Sequence, residues 1–117
     1  VLDRYIKRHT PENEIMLACD DGSMHVSPDM IVFCEAVGKK THVHMRDKVI
    51  VCNSGISTVK NMLPEEFVFC HRSYTVNMRY VRSIGKTDIM LDSGEKIPLS
   101  RRLYKEVNER FIRFYTG

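Results

Sequence analysis

The sequence lacks the features that define several large classes of protein. It contains no Trp, and no apolar run comes near the roughly 20 residues needed to cross a bilayer. It also contains no phosphate-binding loop, no G-x-S-x-G nucleophile motif, no H-E-x-x-H metal motif and no dinucleotide fingerprint. We therefore expect a protein that is not an enzyme, with no catalytic residues, no cofactor, no metal and no membrane partner.

Closely spaced cysteine pairs are also missing. Cys19, Cys34, Cys52 and Cys70 are separated by 15, 18 and 18 residues, whereas zinc ribbons need adjacent ligand pairs and disulfide-rich secreted modules are denser in Cys. The spacing favours small buried hydrophobes in a reducing cytoplasm. The alternative is a redox-sensitive Cys70, because the neighbouring positive charge would lower the pKa of a partly exposed thiol.

Two histidines raise the question of a metal site. His42 and His44 would share one face of a strand, and Cys70 or His71 could complete a set of zinc ligands. No Asp or Glu lies nearby in the sequence to act as a general base, and basic surroundings disfavour a bound cation. We therefore expect no metal catalysis.

Charge is distributed unevenly along the 117 residues, which suffice for one domain. Residues 1–36 carry three basic and seven acidic side chains, whereas residues 37–117 carry fifteen and eight. The basic excess is concentrated in three acid-free stretches, residues 37–46, 67–87 and 96–105. If folding gathers these stretches on one face, a polyanion is the natural partner. A merely solvated surface is the alternative.

Most of the chain alternates with a period of two, which is typical of β-strands. Asp21-Gly22 is a strong hairpin signal, and residues 46–48 and 92–94 are two further turn candidates. The predicted strands cover residues 14–20, 24–26, 31–37, 41–45, 49–52, 67–70, 80–85, 89–91 and 96–99.

Two segments change to a helical period. Ser54 is a candidate cap for a short helix that ends at Pro64. A closing helix follows Ser100, with Glu106–Arg110 and Glu109–Arg113 as i,i+4 pairs on its outer side. Its apolar stripe consists of Leu103, Val107, Phe111 and Phe114.

A set of ordered motifs runs through the chain. The segment from Phe67 to Asn77 reads F-x-x-x-H-R-S-Y-x-V-N, and Val81-x-x-Ile84 and I-P-L-S-R follow it. Earlier come I-x-x-x-E-A-x-G, which starts at Ile31, and a helix that ends in L-P. Together these motifs resemble the LytTR DNA-binding domain, and the resemblance covers nearly the whole chain.

The resemblance implies a mainly β fold of small stacked antiparallel sheets, elongated, with one short helix and a C-terminal helix. Residues 13–117 would form the domain and residues 1–12 a linker or residual interdomain segment. Such domains are usually the C-terminal output domains of bacterial two-component response regulators and bind duplex DNA for transcription regulation. Loops, rather than a recognition helix, enter successive major grooves. We therefore expect an absent N-terminal receiver domain and a homodimer on paired half-sites in the cytoplasm.

Carrying the family's recognition loops over to this chain yields candidate contacts. The base-reading residues would be Thr41 or His42 in the first loop, Arg72 in the second and Arg102 in the third. The residues expected to contact phosphates are Lys39, Lys40, His71, Ser73, Ser100 and Arg101.

Other polar and aromatic residues have competing interpretations. Tyr74 and Val76 are expected to pack in the core, and Asn77 is expected to bond backbone rather than DNA. Arg79 and Arg82 are either phosphate contacts or solvated. The alternative for the whole chain is a protein-interaction module whose basic face docks on an acidic partner, such as a receiver domain.

Overall fold

The computed structural model describes residues 14–116, which form three antiparallel sheets and two α-helices. The strands are β1 (Ile15–Cys19), β2 (Gly22–Val26), β3 (Ile31–Val37), β4 (Lys40–Met45), β5 (Val49–Cys52), β6 (Phe67–His71), β7 (Tyr74–Asn77), β8 (Val81–Ile84), β9 (Asp88–Leu91) and β10 (Lys96–Pro98). The helices are α1 (Ile56–Met62) and α2 (Tyr104–Thr116). Three short 3₁₀ turns, Pro28–Met30, Met78–Tyr80 and Arg101–Leu103, connect them. The predicted mainly β class is confirmed.

The central sheet has five strands in the order β5-β4-β3-β7-β6. Hairpins join β3 to β4, β4 to β5 and β6 to β7, and β3 pairs with β7 across a large sequence separation. Strands β1 and β2 form a separate hairpin, and β8, β9 and β10 form a meander. The turns predicted after β1, β4 and β9 all join antiparallel neighbours.

Each face of the central sheet carries its own hydrophobic core, because successive side chains of a strand point to opposite faces. Phe33 and Val76 face a core completed by the meander and by Val107 of α2. Cys34 and Val43 face the opposite core, which the β1–β2 hairpin and α1 complete. The central sheet is therefore held from both sides, and its strand ends are well placed to carry exposed turns.

The short helix begins one residue later than predicted. Gly55, not Ser54, occupies the position before the first turn, and no side-chain hydrogen bond caps it. Val59 and Leu63 are buried, and Leu63 ends the helix immediately before Pro64.

The closing helix differs from the prediction in two respects, the burial of its last apolar residue and the ion pairs on its outer side. Phe114 is 40% exposed, so the buried part of the stripe ends before it. The predicted pairs of Glu106 with Arg110 and of Glu109 with Arg113 do not form within the described residues. Arg110 instead donates a hydrogen bond of 2.7 Å to the backbone carbonyl of Glu65.

The described residues span 40 × 37 × 23 Å along their principal axes, which is a flattened shape. The predicted linker, residues 1–12, lies outside the described residues. Within residues 14–116, neither helix combines the length and the apolar character needed to span a bilayer.

Candidate nucleic-acid interface

Two of the predicted recognition loops lie at the same end of the central sheet. Gly38 and Lys39 form the turn between β3 and β4, where Gly38 adopts a positive φ of 62°. Arg72 and Ser73 form the turn between β6 and β7. Because β3 runs antiparallel to β7, the two turns are adjacent, and the amide of Ala36 donates a 2.8 Å hydrogen bond to the carbonyl of Ser73. We call this edge of the molecule the turn end.

The third predicted loop is attached to the same end through backbone. The amide of Ser100 donates a 2.8 Å hydrogen bond to the carbonyl of Cys70, directly before the β6–β7 turn. The amide of the preceding residue, Leu99, donates a 3.0 Å hydrogen bond to the carbonyl of Thr87. This bond places the β8–β9 turn next to the third loop. All three loops are thus joined by main-chain hydrogen bonds.

Exposed cations are concentrated on these loops. Lys39, Arg72, Arg101 and Arg102 are all exposed. Within the described residues, none of the four lies within 4.0 Å of a carboxylate. Lys40 is half-buried and does form an ion pair, 2.9 Å from Asp20. The turn end therefore offers four cations whose charge is not neutralised by a bonded partner.

Thr41 is a correction to the predicted site. Its side chain is 0% exposed, and its hydroxyl donates a 2.8 Å hydrogen bond to the carbonyl of Ser54. Strand alternation explains the difference, because Thr41 points into the core with Val43 while His42 points to the opposite face. Of the two candidates in the first loop, only His42 is accessible.

His42 belongs to a row of side chains that crosses all five strands. The paired residues are, in order, Val51, His42, Glu35, Tyr74 and His71. The Tyr74 hydroxyl donates to the Glu35 carboxylate at 2.9 Å, and this hydrogen bond and burial both raise the pKa of Tyr74, burial more strongly. The row links the strands that carry the first and second loops.

Glu35 also contacts His44 from the same face of the sheet. The His44 Nε2 atom lies 3.1 Å from Glu35 Oε1, and the His44 ring stacks on Phe33 with centroids 4.1 Å apart. Glu35 therefore bridges β4 and β7 across β3. These contacts with Glu35 and Phe33 give His44 a structural role. Residues 14–116 contain no cluster of His, Cys, Asp or Glu that could hold a metal ion.

His71 is fixed by the turn that it precedes. Its Nδ1 atom accepts a 3.1 Å hydrogen bond from the Ser73 amide, and its ring packs edge-on against Tyr74. A neutral ring that accepts at Nδ1 carries its proton on Nε2. His71 is thus a hydrogen-bond donor located beside Arg72.

Asn77 and Val76 are structural, as expected. Val76 is buried in the core, and Asn77 is fully buried at the far end of β7. The side-chain Nδ2 of Asn77 donates a 2.9 Å hydrogen bond to the backbone carbonyl of Ile31. Its side-chain Oδ1 accepts a 3.0 Å hydrogen bond from the backbone amide of Arg79.

The structure contradicts the redox interpretation of Cys70. The thiol is buried, and burial raises its pKa to about 12 instead of lowering it. The predicted burial is confirmed for Cys34, Cys52 and Cys70, whereas Cys19 is partly exposed.

The basic stretches do not all reach the turn end. Arg46 follows β4 at the opposite end, where its amide bonds the carbonyl of Met30. Arg79 follows β7 at that end too and lies 3.6 Å from Asp29, and Arg82 lies 3.6 Å from Asp92.

Lys86 is a cation that our list of predicted contacts omitted. It precedes Thr87 in the β8–β9 turn, is exposed, and lies alongside the third loop. Lys86 lies in the second acid-free stretch, which already indicated a possible contact with a polyanion. Only the hydrogen bond between Leu99 and Thr87 places Lys86 at the turn end.

The fold and the site define a small β-rich domain that gathers exposed cations on neighbouring turns. The family described as LytTr DNA-binding domain matches residues 21–112. A solved structure, the LytTr DNA-binding domain of a putative methyl-accepting/DNA response regulator from Bacillus cereus, superposes with a TM-score of 0.70 at 25% identity, covering 86% of this chain and 96% of that one. The chain belongs to the LytTr DNA-binding domain family.

Curated relatives agree with this assignment. The transcriptional regulatory protein YpdB of Escherichia coli K12 is 32% identical and the sensory transduction protein LytT of Bacillus subtilis 22% identical, each over 86% of this chain. An uncharacterized response regulatory protein of Vibrio cholerae is 40% identical over 41% of the chain. The chain spans 44% of the first two relatives and 22% of the third.

Proposed function

We propose that this chain binds duplex DNA in a sequence-specific manner and acts as the output domain of a bacterial response regulator in transcription regulation. The observation that carries the proposal is the meeting of three turns at one end of the sheet, with four exposed cations that have no carboxylate partner among residues 14–116. A polyanion can neutralise these charges together. We propose no enzymatic role.

The contacts divide into two kinds. His42, Arg72 and Arg102 are proposed to read base edges in the major groove, since an arginine can donate two parallel hydrogen bonds to guanine O6 and N7. The proposed phosphate contacts are Lys39, Lys40, His71, Ser73, Ser100 and Arg101, with Lys86 added. Phosphate contacts supply affinity and register but do not distinguish sequences.

The start of the C-terminal helical segment supports a phosphate role for the third loop. Ser100 directly precedes the 3₁₀ turn that leads into α2, and its hydroxyl makes no capping hydrogen bond. Amides at the start of a helix point toward incoming anions, and the helix dipole favours negative charge there.

The described residues extend 40 Å along their longest axis, and one turn of duplex DNA is roughly 34 Å long. We propose that the three loops enter successive grooves and that the duplex bends to meet them. A homodimer on paired half-sites, an N-terminal receiver domain and a cytoplasmic location belong to the same proposal. The regulatory role is supported by relatives whose names describe response and transcriptional regulatory proteins.

The affinity for duplex DNA should fall steeply with salt. If four to six of the cations at the turn end neutralise phosphates, log K should change by roughly −3.5 to −5.5 per tenfold rise in salt, about −0.9 for each phosphate. Fluorescence anisotropy with a labelled duplex, repeated at several salt concentrations, measures this slope.

Matched variants locate the effect on the surface. Lys39→Ala should reduce the magnitude of the slope by about one, whereas Arg46→Ala, at the opposite end, should leave it unchanged. A slope near zero for the unmodified chain would contradict the proposal and favour the interaction module that docks on an acidic protein.

A further inference from the structure

Lys40 differs from the other proposed cationic contacts because a carboxylate already holds it. Its Nζ atom lies 2.9 Å from Asp20 Oδ2. Lys39, Arg72, Arg101 and Arg102 form no such pair within the part of the chain that the structure describes. Asp20 is also the first residue of an acidic turn, Asp20-Asp21, between β1 and β2.

The backbone fixes this acidic turn beside the turn end. Asn53 follows β5, whose last residue, Cys52, pairs with Thr41. The Asn53 amide donates a 2.7 Å hydrogen bond to the carbonyl of Ala18, two residues before Asp20. The tip of the β1–β2 hairpin therefore lies next to the first loop, and this position does not depend on the ion pair itself.

Asp20 is charged wherever DNA binding would be measured. Hydrogen bonds from Lys40, the stronger influence, and from Asn53 hold the pKa of its carboxyl below the ordinary value. A carboxylate in this position attracts the Lys40 ammonium and repels an approaching phosphate. Because Asp20 partly neutralises the ammonium, the net attraction of Lys40 for a phosphate is weaker than that of an unpaired lysine.

We propose that Asp20 competes with a DNA phosphate for Lys40 and thereby attenuates the affinity of the first loop for duplex DNA. This inference rests on the proposed function. Since phosphate contacts are independent of sequence, Asp20 lowers specific and non-specific binding by the same factor. It sets how tightly one domain binds and leaves the choice of bases to His42, Arg72 and Arg102.

The ion pair contributes little to folding, so it can be removed without unfolding the protein. The Lys40 and Asp20 side chains are 44% and 68% exposed, and exposed ion pairs are weak. Asp20→Asn keeps the size of the side chain. Asp21→Asn is the matched control, since it removes one charge from the same turn but no bond to Lys40.

The test compares these variants for binding to a fluorescein-labelled duplex of random sequence over a range of salt concentrations. Asp20→Asn should bind roughly threefold to fivefold tighter, with a salt slope more negative by up to about 0.9, because Lys40 then contacts a phosphate without competition from Asp20. Asp21→Asn should show a smaller gain and an unchanged slope.

Lys40→Met separates competition from general repulsion. It should weaken binding in the unmodified chain, where Asp20 already competes for Lys40, and should abolish the gain of Asp20→Asn when the two are combined. Equal effects of Asp20→Asn and Asp21→Asn, or a gain that survives Lys40→Met, would overturn the inference. A flat salt slope for the unmodified chain would instead contradict the proposed function.

Discussion

Replacing Arg72 and Arg102 together with alanine should abolish the preference for one DNA sequence while most sequence-independent binding remains. A two-fold hydrogen-bonded contact between arginine and guanine is worth about 1–3 kcal/mol of discrimination. Each substitution should therefore reduce the ratio of specific to non-specific affinity by about fivefold to 150-fold. Competition binding with an enriched and a scrambled duplex measures that ratio.

The physical reason lies in how the two loops are held. Arg72 is in a two-residue turn between paired strands, and Arg102 follows Ser100, whose amide is bonded to Cys70. Both guanidinium groups are exposed and free of carboxylate partners among the described residues. A rigid backbone suits base recognition, since little backbone entropy is lost on binding.

A control pair of arginines is available at the opposite end. Arg46→Ala combined with Arg79→Ala removes the same net charge from residues that are not at the turn end. This pair should leave the specificity ratio unchanged. If both double variants lower the ratio equally, the turn end does not read bases. If neither changes any DNA binding, the interaction module becomes the better account.

Asn77→Ala should destabilise the fold by about 3 kcal/mol without acting on DNA recognition directly. The substitution leaves the carbonyl of Ile31 and the amide of Arg79 without the partner that Asn77 supplies, in a place where the side chain is 0% exposed. A buried polar group deprived of its hydrogen bond costs about 1–3 kcal/mol, and the lost volume adds to this. Urea unfolding followed by circular dichroism measures the change.

Asn61→Ala is the control, because Asn61 is exposed on α1 and should change stability by less than about 0.5 kcal/mol. At a temperature where the Asn77 variant is still folded, its specificity ratio should equal that of the unmodified chain. Unchanged stability with a lost sequence preference would mean that Asn77 contacts DNA.

Local pattern predicted most of the strands and their sequential pairing. Alternation with a period of two located β1, β4 and β5, since a strand with one face in a core buries every second residue. Hairpin turns such as Asp21-Gly22 then determined which neighbours pair. The resemblance to the family supplied the remainder of the expected architecture.

Long-range pairing could not be predicted from local pattern. The contact between β3 and β7 joins residues about 40 positions apart, and it brings the first and second loops together. The error at Thr41 has a different cause, which is the register of the β3–β4 hairpin. A shift of one residue in the turn at Gly38 reverses which face of the sheet a side chain occupies.

Ion pairs between segments that are distant in the sequence could not be predicted either. The sequence shows Asp20 and Lys40 far apart, and only the hydrogen bond between Asn53 and Ala18 brings the acidic turn to the basic loop. Lys86 was not predicted as a contact for the same reason. Charge composition predicted the type of partner, whereas the hydrogen-bonded backbone determined which cations can act together.

Selection from a random duplex library at about physiological salt is the measurement that tests the proposed function most directly, since non-specific binding is weak there. The chain should enrich a short motif, or two copies roughly one helical turn apart. The variant without Arg72 and Arg102 should enrich none. Binding by the unmodified chain that ignores sequence, or no binding at all, would contradict the proposal that these three turns form a reader of DNA sequence.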